Sequence, residues 1–209
     1  MNNSFLNKKF PYSYTNVTVK LIIANVAVFI LTMVSRQLYV ALAMVPGYIV
    51  YNHWYWQFMT YMFVHGGISH LFFNMFGLYI FGTPVERQLG SREFLLYYLL
   101  TGTLSGIFSF FAYLIGGVNV VLVGASGAIF SVMFAFAVFY PNARIFIFGI
   151  LPVRAPVLVI LYAAIELFNQ VFNVAGGVAH LTHLAGFLFA YLYMLIRLKI
   201  NAFDHFRRL

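Results

Sequence analysis

Six stretches of this 209-residue chain are so apolar and so closely spaced that a lipid bilayer is the natural medium for all of them. They run over residues 18–40, 69–83, 93–114, 126–140, 155–171 and 180–197, and Phe, Leu, Ile and Val dominate each. A hydrocarbon core about 30 Å thick is crossed by a helix of roughly 20 apolar residues. Lipid offers no partner for free backbone groups, so each crossing segment must satisfy its own. The expectation is an all-α polytopic membrane protein, a bundle of six transmembrane helices. Gly116-Gly117, Gly176-Gly177, Pro84, Pro141, Pro152 and Pro156 punctuate the gaps. No internal repeat or long linker is visible, so one membrane domain over 18–199 is expected, with short tails at 1–17 and 200–209.

Charge tests the segment count. Only 8% of the residues are charged, against about a quarter in a soluble domain. The net charge of +8 raises nucleic acid or an anionic membrane surface as partners. The hydropathy and the scattering of the cations favour the lipid bilayer, and no basic run with interleaved aromatics suggests nucleic acid. With a cytoplasmic N-terminus, six spans place Lys8, Lys9, Lys20, Arg87, Arg92, Arg144, Arg154, Arg197, Lys199, Arg207 and Arg208 inside, and only Arg36 of the twelve cations outside. Five or seven spans would move much of that charge outward. The apolar run after Lys20 resembles a signal peptide, but Ser35-Arg36-Gln37 follows it instead of a small-residue cleavage site, so a retained first helix is expected. The outer connection, about 41–68, carries Trp54, Tyr55, Trp56, Phe58, Tyr61 and Phe63 and suits the membrane–water interface. The chain has no cysteine, which excludes disulfides, thiolate metal sites and a cysteine nucleophile.

Polar groups inside such segments are costly and mark function. Ser126 lies in Gly124-Ala-Ser126-Gly127 and opens the fourth segment, where free N–H groups and the helix dipole favour a developing anion. Ser126 to Tyr140, His183 to Arg197 and His70 to Pro84 each span 14 residues, roughly 21 Å of helix. Three reactive groups thus share one height, roughly 10 Å below the outer surface of upright helices. Asn74 follows His70 by four residues and shares its helix face. A serine, a histidine base and a His/Asn pair of donors are the parts of an acyl-transfer site. Glu86 and Glu93 fall on the inner side and Asp204 in the tail, so a Ser–His dyad without an acid is expected. An aromatic ring stacked on the imidazole would hold it, and Phe130, one turn after Ser126, is the candidate.

These residues resemble the rhomboid family of intramembrane serine proteases, from Trp56-Gln57 to Tyr191. The likeness runs through Phe63-Val-His65-Gly-Gly-Ile-Ser-His70-Leu-Phe-Phe-Asn74-Met, Gly82 with Glu86-Arg87, Gly124-Ala-Ser126-Gly127-Ala-Ile-Phe130, and Ala179-His180-Leu-Thr-His183-Leu-Ala-Gly186. Each motif alone is weak; their order and spacing are specific. The resemblance implies a six-helix bundle around a water-filled cavity, Ser126 as nucleophile, His183 as base, and His70, Asn74 and the Ser126 N–H as oxyanion donors. Gly124, Gly127, Phe130 and Gly186 support them. It implies no cofactor and no metal, transmembrane proteins as substrates, and lateral entry between the second and fifth helices. Ala190 stands where members often have a second glycine, which predicts at most a slightly looser contact between the fourth and sixth helices.

Blander readings stand beside these. Gly124-Ala-Ser126-Gly127 is also a helix-packing motif. His180 and His183, with His65 and His70, are a metal candidate weakened by the lack of a nearby carboxylate and of an H-E-x-x-H pattern. His180 reads as an accessory polar residue, His65 as a structural one bonded to backbone, and Glu86-Arg87 as an ion pair at a helix end. Glu166, the one acid inside a span, snorkels, is protonated or pairs with a histidine, and is left outside the catalytic set. Two rivals are a non-catalytic, client-binding rhomboid-like protein and a small transporter with a histidine relay, the latter disfavoured by the absence of an inverted repeat. The expected setting is a bacterial plasma membrane, with both termini cytoplasmic and the active site opening to the outer face.

Overall fold

A computed structural model describes residues 10–118, 120–147, 149–172 and 178–206. Lys8, Lys9, Arg207 and Arg208 of the charge tally, and the Gly176-Gly177 break, lie outside the described residues. Five helical stretches are long and apolar enough to cross a membrane: Val17–Val34, Ile68–Leu89, Ser91–Ile115, Ala155–Phe172 and His180–Leu198. A shorter apolar helix, Ser126–Phe139, brings the apolar segments to the expected six. The fold is an all-α polytopic membrane bundle.

Helix α1, Val17–Val34, ends where Ser35 turns extended, and a separate helix α2, Arg36–Leu42, follows. The first segment therefore stops short of the expected residue 40. The Ser35 hydroxyl accepts the Leu38 N–H and starts α2, a local bond that competes with continuing the helix. The outer connection then folds as α3, Pro46–Asn52, and α4, Gln57–Thr60. Its anchor is the buried Gln57 amide, which donates to the Val40 carbonyl and accepts the Val45 N–H, each at 3.0 Å.

The second span begins as α5, Ile68–Gly77, widens into a π-helical turn over Leu78–Gly82 and continues as α6, Thr83–Leu89. Pro84 was expected to end it. A proline ring clashes with the carbonyl four residues earlier, here Ile80, and the wider π turn absorbs that clash, so the helix runs on. Helix α7, Ser91–Ile115, follows directly.

Helix α7 is the post of the bundle. Thr101, Gly102, Ser105, Gly106 and Ser109 are all buried and form a stripe of small side chains at helical spacing. A side chain at Gly106 would lie 2.5 Å from Tyr61, and one at Gly102 2.7 Å from Met62, so these two glycines admit the aromatic loop. The Tyr61 hydroxyl donates to the Gly102 carbonyl at 2.8 Å and locks that contact.

Helix α8, Ser126–Phe139, packs on α7, and α10, Val178–Tyr193, packs on both before a final π-helical turn over Met194–Leu198 and the short helix α11, Ala202–Phe206. A side chain at Gly186 would meet the Gly127 carbonyl oxygen at 2.3 Å, so α8 and α10 touch backbone to backbone. Ala190, one turn further along α10, is fully buried in the core. Between α8 and helix α9, Ala155–Phe172, lies an unexpected hairpin: β1, Arg144–Ile147, pairs antiparallel with β2, Leu151–Arg154. Ile145, Ile147 and Val153 pack towards the core while Phe146 is exposed, the period-two pattern of a half-buried strand. Gly149 supplies the positive φ of the turn.

Glu86 and Arg87 do not pair. Glu86 is fully buried and accepts the Val17 and Thr18 N–H groups at 2.7 and 2.8 Å, the Thr18 hydroxyl at 2.8 Å and the Ser91 hydroxyl at 2.5 Å. It caps α1, where an acid also complements the helix dipole. The Arg87 guanidinium lies 5.7 Å from the Tyr14 ring centre instead.

Candidate active site

Ser126 is the first residue of α8, and the chain reaches it through Gly124 at a φ of +118°. That conformation favours glycine. A Cβ there would also lie 2.7 Å from His70 Nε2, so the approach to Ser126 runs tightly past His70. The Gly124 N–H donates to the Tyr61 carbonyl at 3.0 Å, which ties this loop to the aromatic connection. The first N–H groups of an α-helix have no intrahelical partner, so α8 presents donors where Ser126 begins.

His183 approaches from α10. Its Nε2 is 2.7 Å from the Ser126 hydroxyl oxygen. The Phe130 ring lies flat on the imidazole, with centres 4.2 Å apart and planes 8° from parallel. Tyr162 and Phe187 pack against the far parts of Phe130. The imidazole is thus fixed by packing on one face and by hydrogen bonds at both nitrogens.

The other bond comes from the residue that sequence reasoning left aside. Glu166 on α9 is buried, with its Oε1 at 3.0 Å from His183 Nδ1. Its second oxygen makes a very short hydrogen bond to His180 Nδ1. The expectation of a base without an acid therefore does not describe this geometry. The signal available in the sequence was a carboxylate well inside a span rather than at its end, which needs a partner to be tolerated. What linear order hides is that α9 and α10 pack together.

His70 and Asn74 stand on α5 on the other side of the Gly124 loop. The Gly66 N–H points at His70 Nδ1 at 3.4 Å, a long contact that favours the proton on Nε2. Asn74 is buried, and its amide nitrogen has no hydrogen-bond partner among the described residues, though it lies 3.7 Å from the Cβ position of Gly124. Two side-chain donors therefore face the segment that leads into Ser126.

His65 was expected to bond backbone. The Phe63 backbone is near enough to act on the ring, but neither nitrogen makes a hydrogen bond of ordinary geometry among the described residues. The ring packs edge-on to His70, with centres 5.1 Å apart. Burial pushes its pKa down to about 4, and the neighbouring His70 adds to the shift.

Among the described residues, Glu166, His180 and His183 place one ligand atom each within 4.8 Å of one another, so a carboxylate does stand beside these histidines. Their Nδ1 atoms already bond the carboxylate. A metal on His183 Nδ1 would hold the remaining proton on Nε2, the atom that faces Ser126, and so would oppose its use as a base.

A family profile described as the Rhomboid domain matches residues 52–200, well over half of the chain. The chain belongs to the rhomboid family. The rhomboid-family protein YdcA of Bacillus subtilis is 36% identical over 98 residues, covering 46% of this chain and 48% of YdcA. The rhomboid protease GluP of the same organism is 40% identical over 77 residues, covering 36% of this chain and 15% of GluP. An Arabidopsis thaliana relative named as inactive, RHOMBOID-like protein 8, is 33% identical over 58 residues, covering 28% of this chain and 16% of that protein. The matches thus span about half the relatives' length or less. This rhomboid is an integral membrane protein whose family includes named proteases.

Proposed function

We propose that this rhomboid is a serine endopeptidase that cleaves transmembrane proteins within the bilayer. The observation that carries the reading is the 2.7 Å contact between the Ser126 hydroxyl and His183 Nε2 at the start of a short core helix. Named protease relatives support it.

In this reading His183 Nε2 takes the hydroxyl proton as Ser126 Oγ bonds to the scissile carbonyl carbon. The carbonyl oxygen becomes an oxyanion held by the Ser126 N–H, His70 Nε2–H and the Asn74 amide. The C–N bond breaks, and His183 passes its proton to the leaving amine. His183 then deprotonates a water that attacks the acyl-enzyme, and Ser126 recovers a proton as the ester bond breaks. An intact substrate helix hides its carbonyls in hydrogen bonds, so substrates should carry helix-weakening residues near the cut, with small side chains beside it. Water and the substrate segment reach the site from the outer leaflet, with both termini of the enzyme cytoplasmic.

The test is cleavage of a fluorescent single-span substrate by the detergent-purified protein, beside Ser126→Ala and His183→Ala. Cleavage by the parent and loss in both variants is the expected result. Cleavage by Ser126→Ala overturns the mechanism. A second reading, client binding without catalysis, is favoured by the match to a relative named as inactive. It requires a folded parent that binds single-span clients but neither cleaves them nor reacts with a fluorophosphonate probe.

A further inference from the structure

We propose that Glu166, itself anchored by His180, is a positioning residue that keeps His183 in the tautomer able to accept a proton from Ser126. The inference rests on the serine-protease reading and goes beyond the Ser–His pair.

The geometry is a continuous chain from α8 through α10 to α9. Ser126 Oγ lies 2.7 Å from His183 Nε2, and His183 Nδ1 lies 3.0 Å from Glu166 Oε1. An ionised carboxylate only accepts. Nδ1 must therefore carry the proton, which leaves the Nε2 lone pair aimed at the Ser126 hydroxyl. The other tautomer would turn a lone pair toward the carboxylate and lose that bond, and its Nε2–H could only donate to the Ser126 oxygen, not accept the proton.

His180 explains how the carboxylate is held. It stands three residues before His183, one turn away on the same face of α10, and its Nδ1 bonds the second Glu166 oxygen. Both oxygens are thus engaged, and the side chains of Glu166, His180 and His183 are only 10%, 13% and 14% exposed. A carboxylate so placed is expensive unless it is partnered. Two imidazoles from one helix face meet that need.

Structural latching of α9 to α10 is the competing account, and it predicts something different. A latch depends on hydrogen bonds of either polarity. Tautomer control depends on an acceptor at Oε1. Glu166→Gln keeps the shape but can present its NH2 group to His183 Nδ1, which favours the tautomer protonated at Nε2. In a soluble serine protease, the comparable acid-to-amide change lowers kcat by about 10⁴-fold.

The experiment measures kcat and KM for the single-span substrate, together with the rate at which a fluorophosphonate labels Ser126, in the detergent-purified parent, Glu166→Gln and Glu166→Asp. ¹⁵N spectra of the histidines read the His183 tautomer in the same samples. Glu166→Gln should lose at least about 100-fold in kcat and in labelling rate with KM within twofold. Its His183 should move from Nδ1- to Nε2-protonated, and Glu166→Asp should recover at least a tenth of the parent rate. A Gln variant within threefold of the parent in kcat and labelling overturns the proposal. So does a His183 tautomer that does not change. If Glu166→Gln does not fold, Glu166→Asp decides alone: a folded Asp variant with an Nε2-protonated His183 overturns it. An unlabelled, inactive parent refutes the protease reading instead, while the spectra still report the tautomer.

Discussion

Replacing Gly186 with alanine should separate Ser126 from His183 without touching either. The added Cβ would sit 2.3 Å from the Gly127 carbonyl oxygen and 3.3 Å from Phe130 Cβ. An ordinary carbon–oxygen contact is over 1 Å longer, and the obstacle is backbone rather than the end of a flexible side chain. Helices α8 and α10 must therefore part by about 1 Å, and overpacking of this kind costs about 1–3 kcal/mol. The Ser131 hydroxyl, which bonds the Gly186 carbonyl at 2.8 Å across the same interface, loses its geometry too. The contact that suffers functionally lies just beyond: a 2.7 Å bond stretched by about 1 Å is no longer a hydrogen bond. Misplacement by 1 Å costs about 100-fold in rate. The expected result for Gly186→Ala is a fall in Tm of about 2–4 °C per kcal/mol lost with kcat down by about 100-fold. The assay is thermal unfolding in detergent beside cleavage of the single-span substrate, with Ala190→Gly as a control one turn further along α10. A Gly186→Ala protein that cleaves within threefold of the parent would refute the claim that backbone contact between α8 and α10 sets the site.

Three further outcomes follow from the same structure. Glu86→Ala leaves two buried N–H groups and two hydroxyls without their acceptor, so it should cost about 3 kcal/mol or more, read as a large fall in Tm; a fall within 2 °C refutes the capping role. For His65, whose pKa falls from 6.5 to about 4 on burial, the unfolded chain binds a proton first as pH drops. Its stabilising term is therefore complete above about pH 6.5 and lost toward pH 4, up to about 3 kcal/mol. Unfolding curves between pH 7.5 and 4.5 should be steeper with pH for the parent than for His65→Asn, and parallel curves refute the assignment. Finally, since no metal enters the proposed reaction, a chelator should leave cleavage by the parent unchanged, and a loss restored by added zinc would assign the histidine–carboxylate trio to a required ion.

The fold was legible where a residue's neighbours in sequence decide its state. The six apolar segments and the start of α8 at Ser126 depend on local hydropathy and on turn-forming glycine, and the sequence carries both. The errors lie where a local signal was outweighed. Pro84 is a helix breaker in isolation, yet a π turn accommodates it and the helix reaches Leu89. The hairpin over 144–154 was hidden because its alternation lies in a generally hydrophobic stretch flanked by prolines. Glu86 was assigned to its sequence neighbour Arg87, whereas its ligands come from Val17 and Thr18, some seventy positions away. Spacing along single helices grouped His70 with Asn74 and set Ser126 and His183 at one height, but it carried no information about which helix supplies a partner to His183 Nδ1.

That partner is best weighed against the other acids. Of the four Asp/Glu residues, Glu86, Glu93 and Glu166 are buried, and each joins segments far apart in the chain. Glu86 holds the start of α1 to α6 and α7. Glu93 on α7 holds Arg197, in an ion pair at 2.5 Å, and the Tyr193 hydroxyl at the end of α10. Lipid tails supply little hydrophobic drive between helices, so packing and polar ties carry the association. By that measure Glu166 is a third tie, between α9 and α10. Its partners set it apart. Glu86 binds backbone amides and hydroxyls, and Glu93 binds a permanently charged guanidinium and a hydroxyl, none of which changes protonation state in the proposed reaction. Glu166 binds two imidazoles, and one of them is the ring that touches Ser126. A tie made only for strength would gain nothing from ending on the group proposed to move the proton. Placed there, the same carboxylate fixes the base tautomer and stabilises the imidazolium formed when Ser126 attacks, a charge that exists only after the proton has moved.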